Sequence, residues 1–238
     1  IMDGLVGSEM CIRDRGEGAK LYKKELNRGT TIIWSLAGSI FSAGLRELVI
    51  DSVRKNLVDC LVCTGALFEQ DMLEALGYNH YVQTEEIEDK TLQNLLIDRI
   101  YDHLLDEIEL QHVDETYKKI AKQMHSGNYS SREFMEYCGK WLSNVKDAND
   151  SVILAAYEMN VPIFIPAIND CSIGIGLAMN QSEEKNGISI DSIKDLREIA
   201  KMKDLCGDSG IVIVGGGVPK NYSQDSVSYT HLTLPTMS

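Results

Sequence analysis

Four short runs of small residues hold the chain's clearest capacity for chemistry. They are Ala37-Gly38-Ser39 with Ser42-Ala43-Gly44, then Cys63-Thr64-Gly65-Ala66, then 167–176 around Asn169-Asp170-Cys171-Ser172, and last Gly215-Gly216-Gly217. Glycine lets backbone come close to a ligand, serine and threonine add hydroxyl donors, and a helix start offers free N–H groups to phosphate. Together the runs imply a nucleotide or dinucleotide site. The alternative is an α/β domain whose small turns are only structural, because no complete G-x-G-x-x-G follows a strand and glycine triplets also make simple tight turns. Two acids fall in the same regions, Glu69 and Asp170. A ribose hydroxyl or an ammonium group would suit such an acid, and Asp170 could equally cap the helix that follows it.

Other reactive side chains point to packing. Cys60 and Cys63 form a C-x-x-C within an apolar run of strand length. Thioredoxin-type chemistry needs such a pair at a helix start, and zinc needs a second ligand pair, so both are expected to be core thiols. His103, His112 and His125 lack the i, i+4 spacing of a helical metal pair, and no metal site is expected.

The elements that must position the four turns repeat one unit. A charged helical lead-in at 20–28 precedes a β-branched run at 30–36, and a helix is expected from about Leu45 to Asn56. The second unit is a strand at 58–62 and a helix from about Leu67 to Leu76; the third is a strand at 163–165 and a helix from Leu177 onward. A helix at 192–202 leads into a last strand at 211–214. Strand, small turn, helix, repeated, predicts an α/β fold with a parallel sheet and helices on both faces. Ligands of such sheets bind beyond the carboxyl ends of the strands, where all four turns lie. Between the second and third units, 91–160 is expected as a helical insertion, with Leu92, Leu95, Leu96, Ile100, Leu104 and Ile108 as its apolar stripe.

Composition sets outer limits. The 238 residues, 44% hydrophobic and 25% charged, read as one soluble domain. A net charge of −13 argues against nucleic acid as partner, since phosphate binding needs clustered Lys and Arg. No apolar stretch approaches the ~20 residues of a membrane span. Six irregularly spaced cysteines without a secretory signal fit reduced thiols of a cytoplasmic protein.

Both ends are expected to be foreign. Residues 9–15 can be written GAG ATG TGT ATA AGA GAC AG, whose reverse complement reads in one frame as Val227-Ser228-Tyr229-Thr230-His231-Leu232. Both strings resemble translated transposon-type sequencing adapters. Residues 1–15 and 226–238 are therefore read as non-native, leaving 16–225 as a partial domain. That domain is expected to be truncated at its C-terminal end, with the last strand and its triple glycine still waiting for a helix.

The same turns resemble those of deoxyhypusine synthases. The matching strings run from Ser42 to Leu48, Val58 to Ala66, Val161 to Ser172 and Gly215 to Lys220, in the family's order, and Ser130-Ser131-Arg132-Glu133-Phe134 matches too. The likeness spans most of residues 17–222. It implies a Rossmann-like NAD-binding fold, a homotetramer with active sites across a dimer interface, and spermidine as the amine substrate. In the family's reaction a 4-aminobutyl group passes from spermidine to an enzyme lysine as an imine, then to a lysine of a translation factor precursor, with NAD taking and returning a hydride.

Carried over by motif, Gly38, Ser39, Ile40, Phe41, Ser42, Thr64, Gly65, Ala66, Asp170 and Gly216 would contact NAD. Glu69 and Gln70 would face the amine, with Ile175 and Asn221 in the same pocket. Three of these depart from the family: Gln70 stands where a second acid is common, Ile175 where an aspartate is, and Asn221 where a histidine is. The family's catalytic lysine lies downstream of every motif present, Lys220 is not that residue, and the chain alone is expected to be inactive. Two other readings stay open. One is homospermidine synthase-like transfer to a free diamine, which Ile175 and Asn221 favour; the other is a non-catalytic NAD- or polyamine-binding subunit.

Overall fold

The computed structural model describes residues 2–183 and 187–233, with side chains for 13–183 and 187–226. The chain opens with α1 (Met2–Arg28), enters β1 (Thr31–Leu36) and passes through a π-helical turn at Phe41–Leu45 into α2 (Arg46–Arg54). The second unit is β2 (Cys60–Cys63) and α3 (Gly65–Ala75). Then come β3 (Tyr81–Val82), α4 (Asp89–Asn94), β4 (Ile97–Ile100), β5 (His103–Asp106), α5 (Glu107–Gln123), β6 (Gly127–Tyr129), α6 (Ser131–Leu142) and α7 (Val152–Met159). The third unit is β7 (Ile163–Phe164) and α8 (Ser172–Glu183), followed by β8 (Ile188–Ile190), α9 (Ser192–Cys206), β9 (Ser209–Val214) and α10 (Gly217–Thr233).

The central sheet has the order β7-β2-β1-β9, and every pairing in it is parallel. Side chains alternate across it, as strand geometry requires. Leu61, Cys63, Ile163 and Ile165 join a large core beneath α2, α3 and α5 to α8, while Ile33, Cys60, Val62 and Phe164 meet Ile199 of α9 and Tyr222 of α10 on the other face. The expected α/β fold with helices on both faces is what forms. The C-x-x-C follows the same rule: residues three apart on a strand point to opposite faces, so Cys60 and Cys63 lie in different cores. Both are fully buried, and burial pushes both thiols well up from their ordinary range.

The insertion differs from expectation. It is helical only in part: β4 and β5 pair antiparallel with each other, β3 adds to β5, and β6 pairs parallel with β8. The six apolar positions do not form one stripe. Leu92 is buried in α4, Leu95 and Leu96 are exposed just beyond it, Ile100 and Leu104 sit on the hairpin, and Ile108 is exposed on α5. The chain turns over at Leu96 and Tyr101, both with positive φ (56° and 59°), which interrupts any continuous helix. Two boundaries also move. The helix after the third turn begins at Ser172 rather than Leu177, and the triple glycine does not wait for a helix, because α10 starts at its last residue. The first segment expected to be foreign lies within α1 and the second within α10 up to Thr233; residues 1 and 234–238 lie outside the described residues.

Much of the tertiary structure is fixed by side chains that cap helices distant in sequence. Three consecutive residues of α3 do this. Glu69 Oε2 accepts from Ser172 N at the start of α8 (3.0 Å), Gln70 Oε1 from Ser42 N in the π-turn (3.0 Å), and Asp71 from Val152 N and Ile153 N at the start of α7 (both 2.9 Å). Asp71 also binds Arg46 Nε at 2.8 Å, with neither side chain more than 6% exposed. Burial pushes the Asp71 carboxyl up, and the Arg46 charge and the two amides oppose it. A similar contact holds α6, where Asp195 Oδ1 accepts from Ser131 N at 2.8 Å.

Two outcomes follow. Asp71→Ala takes the carboxylate from Arg46 Nε, whose Nη1 keeps Glu47 and Glu74, and leaves two buried amides unpaired, a loss expected at roughly 2–4 kcal/mol; urea unfolding of wild type and variant measures it, and a loss under about 1 kcal/mol would show that the pair does not anchor α7. Burial raises Asp195 from 3.8 to about 6. The folded state therefore binds this proton more tightly than the unfolded one, and the resulting stabilisation, full below about pH 4, fades as pH rises through about 6. Relative to Asp195→Asn, wild type should gain about 1 kcal/mol of stability between pH 7.5 and pH 5. Parallel stability profiles for the two proteins would refute that assignment.

Candidate functional site

The register of the sheet brings the turns level. Leu36 at the end of β1 pairs with Cys63 at the end of β2 and with Val214 at the end of β9, so three chain segments leave the sheet side by side. The turn after β7 joins them through Pro166, Ala167 and Asp170. Together they line one cleft of about 520 Å³, walled by 37–39, 63–66, 166, 167, 170 and 215–219.

Local geometry explains the residue types. Gly38 (φ 85°) and Gly215 (φ 82°) turn the chain sharply off β1 and β9 in a conformation that side chains disfavour. Gly65 is needed for space, since a Cβ there would lie 2.2 Å from Cys171 Sγ. Cys171 donates to Ile168 O, and burial pushes its thiol up to about 11, which keeps it protonated. Thr64 is extended and gives α3 no side-chain cap, its hydroxyl donating instead to Gly38 O at 3.3 Å. Gly216, before α10, has no side chain to cap with. Neither α3 nor α10 has an acid in its first turn. Two helix starts, each equivalent to roughly half a positive charge, therefore open on the cleft without an acid in their first turns, and Asp170 is the carboxylate among the lining residues.

Seven of the residues expected to contact NAD line this cleft: Gly38, Ser39, Thr64, Gly65, Ala66, Asp170 and Gly216. Ile40, Phe41 and Ser42 do not. Phe41 and Ser42 are buried, and Ile40 packs against the main core, so the π-turn lies behind the lining rather than in it. None of the four residues expected to face the amine lines the cleft. Gln70 is 1% exposed beneath Ser42, Ile175 is exposed on α8 and Asn221 on α10. Glu69 is half-buried at the α8 start; burial raises its carboxyl, and Ser172 opposes the shift. The cap of that helix is thus Glu69, from another element, and Asp170 is left exposed in the cleft. The cleft also takes in Cys63, expected only as a core thiol, and Pro166 and Pro219, which the family strings include without a role. Among the described residues no group of three or more His, Cys, Asp or Glu is placed to hold a metal, and no helix is long and apolar enough to cross a membrane.

Comparison with known proteins gives this geometry a relationship. The family model described as deoxyhypusine synthase matches residues 11–233. A deoxyhypusine synthase-like protein of Chlorobaculum parvum is 46% identical over 198 residues, covering 82% of this chain and 57% of that protein. One from Elusimicrobium minutum is 42% identical, covering 90% and 58%. The chain thus spans somewhat more than half the length of these relatives. Among solved structures, an Entamoeba histolytica protein assigned as a deoxyhypusine synthase superposes with a TM-score of 0.58 at 23% identity, covering 79% of this chain and 58% of that one. The ternary complex of AgrE with ornithine and NAD+ superposes with a TM-score of 0.57 at 14% identity, covering 88% and 25%. These two likenesses are of fold; at the level of sequence, the family model and the curated relatives agree, and the chain belongs to the deoxyhypusine synthase family.

Proposed function

We propose that this chain supplies the NAD-binding part of an enzyme that transfers the 4-aminobutyl group of spermidine to a lysine of a translation factor precursor. The observation that carries the reading is the meeting of four turns in one cleft onto which two helix starts open without an acid in their first turns. The residues fit the coenzyme. A pyrophosphate would take the free N–H groups at the starts of α3 and α10, Gly216 has open space where a side chain would stand, and Asp170 is free to accept from a ribose hydroxyl. The AgrE complex supports the reading, since a protein of related fold holds NAD+.

When bound, NAD would accept a hydride from the amine and later return it. This chain's residues orient it: the Gly65–Cys171 contact fixes the second turn against the third, and Gln70 holds the π-turn behind the first. The ammonium contact in this reading is assigned to Glu69, whose carboxyl is raised by its half-buried setting and by Asp114 and Asp170 nearby. Imine exchange through an enzyme lysine splits one hard transfer into two easier ones. No lysine of this chain takes that role in the proposal, so transfer would require the part of the relatives' length that this chain does not span. We place the reaction in the cytoplasm and the full-length enzyme in a homotetramer, as the family resemblance implies.

NAD titration of the purified chain, followed by calorimetry, should show binding. Gly65→Val, whose side chain collides with Cys171, should weaken it at least tenfold, and Asp170→Ala by one to two powers of ten, the value of about 1.5–3 kcal/mol for a hydrogen bond to a charged group. No heat of binding for the wild-type chain would remove the basis of the reading. For the acceptor, full-length protein with NAD, radiolabelled spermidine, the translation factor precursor and putrescine in competition should label the protein lysine. Label appearing only in homospermidine would instead establish the free-diamine reading that Ile175 and Asn221 favour.

A further inference from the structure

The small sheet β3-β5-β4 leaves one of its edges open. Its end strands differ: α4 packs against β4, where Arg99 pairs with Asp89 of that helix at 2.6 Å, while among the described residues β3 has a strand neighbour on one side only. Hydrogen-bonded and non-hydrogen-bonded pairs alternate along an antiparallel ladder. Gln83 N donates to Asp102 O, so the next pair, Val82 with His103, is non-hydrogen-bonded and Val82 turns its own N–H and C=O to the outer edge. Tyr81 and Val82 are 54% and 63% exposed. Beside them, the two-residue turn from β4 to β5 begins with Tyr101 at φ 59°, a position that glycine commonly fills. This tyrosine is 91% exposed, so no packing offsets the strain of its backbone.

Charge decides what such an edge would accept. Residues 81–107 hold eight acids and two bases, a net −6 of the chain's −13. Glu85, Glu86 and Glu88 follow directly on β3 as exposed side chains, and Asp102 stands in the adjoining turn. A second copy at this edge would set like charge against like, and nucleic acid or an anionic membrane is repelled in the same way. We propose that the β3 edge is a docking surface for a basic, extended segment of a partner protein, which adds to β3 as a further strand. Its main chain would pair with Val82, its cationic side chains would meet the acids at 85–88 and 102, and its apolar ones would cover Tyr81 and Tyr101. The dinucleotide cleft opens at the start of α3 and β3 lies beyond the end of that helix, about 15 Å along its axis. A segment held on β3 therefore lies clear of the cleft, and the inference does not rest on the coenzyme reading.

The test titrates the purified chain into a blocked, fluorescently labelled heptapeptide of alternating lysine and valine, followed by anisotropy. The peptide should bind, and its affinity should fall at least tenfold between about 50 and 500 mM sodium chloride as charges are screened. A counterpart with glutamate for lysine should not bind. One methylated on alternate backbone nitrogens, which keeps the charge and removes the strand donors, should bind at least tenfold more weakly. Val82→Pro removes the outward N–H and should weaken binding at least tenfold. Tyr101→Gly should weaken it severalfold while raising the urea midpoint, which separates lost docking from lost fold. Hydrogen exchange at the Val82 amide should slow in the complex. The proposal is overturned by no binding to wild type, by equal binding of the glutamate or the methylated peptide, or by full affinity retained in both variants. A parallel NAD titration keeps the two readings apart, since its failure sinks only the coenzyme site.

Discussion

Buried amides need partners, and in this protein one short stretch of helix supplies them for three separate segments. Glu69, Gln70 and Asp71 between them accept from Ser42, Ser172, Val152 and Ile153. Each such donor, if left unpaired in the interior, costs about 1–3 kcal/mol, so the π-turn, α8 and α7 are tied to α3 in defined positions. Since α3 itself leaves the sheet at β2, the first and third turns are set relative to the second. The cleft is a product of that arrangement: its lining residues are small and few of them make strong contacts, and their placement comes from the acceptors behind them.

The sheet and its turns were legible because their signals are local. β-branched runs, alternation and glycine at strand ends can be read residue by residue, and the odd spacing of Cys60 and Cys63 already implies opposite faces. The insertion was less legible. Leu92 to Ile108 satisfies helical spacing by count, yet the reversals at Leu96 and Tyr101 and the cross-strand pairs Arg99–Leu104 and Ile97–Asp106 decide a hairpin. The start of α10 was hidden for a related reason. Gly217-Val218-Pro219 reads as a turn, although proline is tolerated in a first helical turn, where its missing N–H has no partner to lose.

The candidate site shows the same division. Seven lining residues were evident as small residues beyond strands, whereas the capping of α8 was not, because its acceptor comes from a position 103 residues away. Asp170, which the sequence left open between a helix cap and a ligand contact, does not cap α8; Glu69, expected to face the amine, does. Five helices, α5 to α9, begin with a backbone N–H held by a side-chain oxygen, from Asp106, Ser130, Ser151, Glu69 and Asp191. The starts of α3 and α10 lack this, and both face the cleft. α2 and α4 also begin without a side-chain cap, so an uncapped start is shared with the framework and what sets α3 and α10 apart is that they face the cleft.

The triple acceptor on α3 also bears on how sequence variation in this family is to be understood. Loss of the acceptor oxygen at positions 69 to 71 would be purged by selection for architecture whether or not any of those side chains ever meets a substrate, and Gln70, standing where an acid is common in the family, keeps that oxygen. Invariance there, taken by itself, is therefore a poor guide to ligand contact. The positions free to diverge with a change of acceptor molecule are those the scaffold does not use, such as 175 and 221 on the outer faces of their helices.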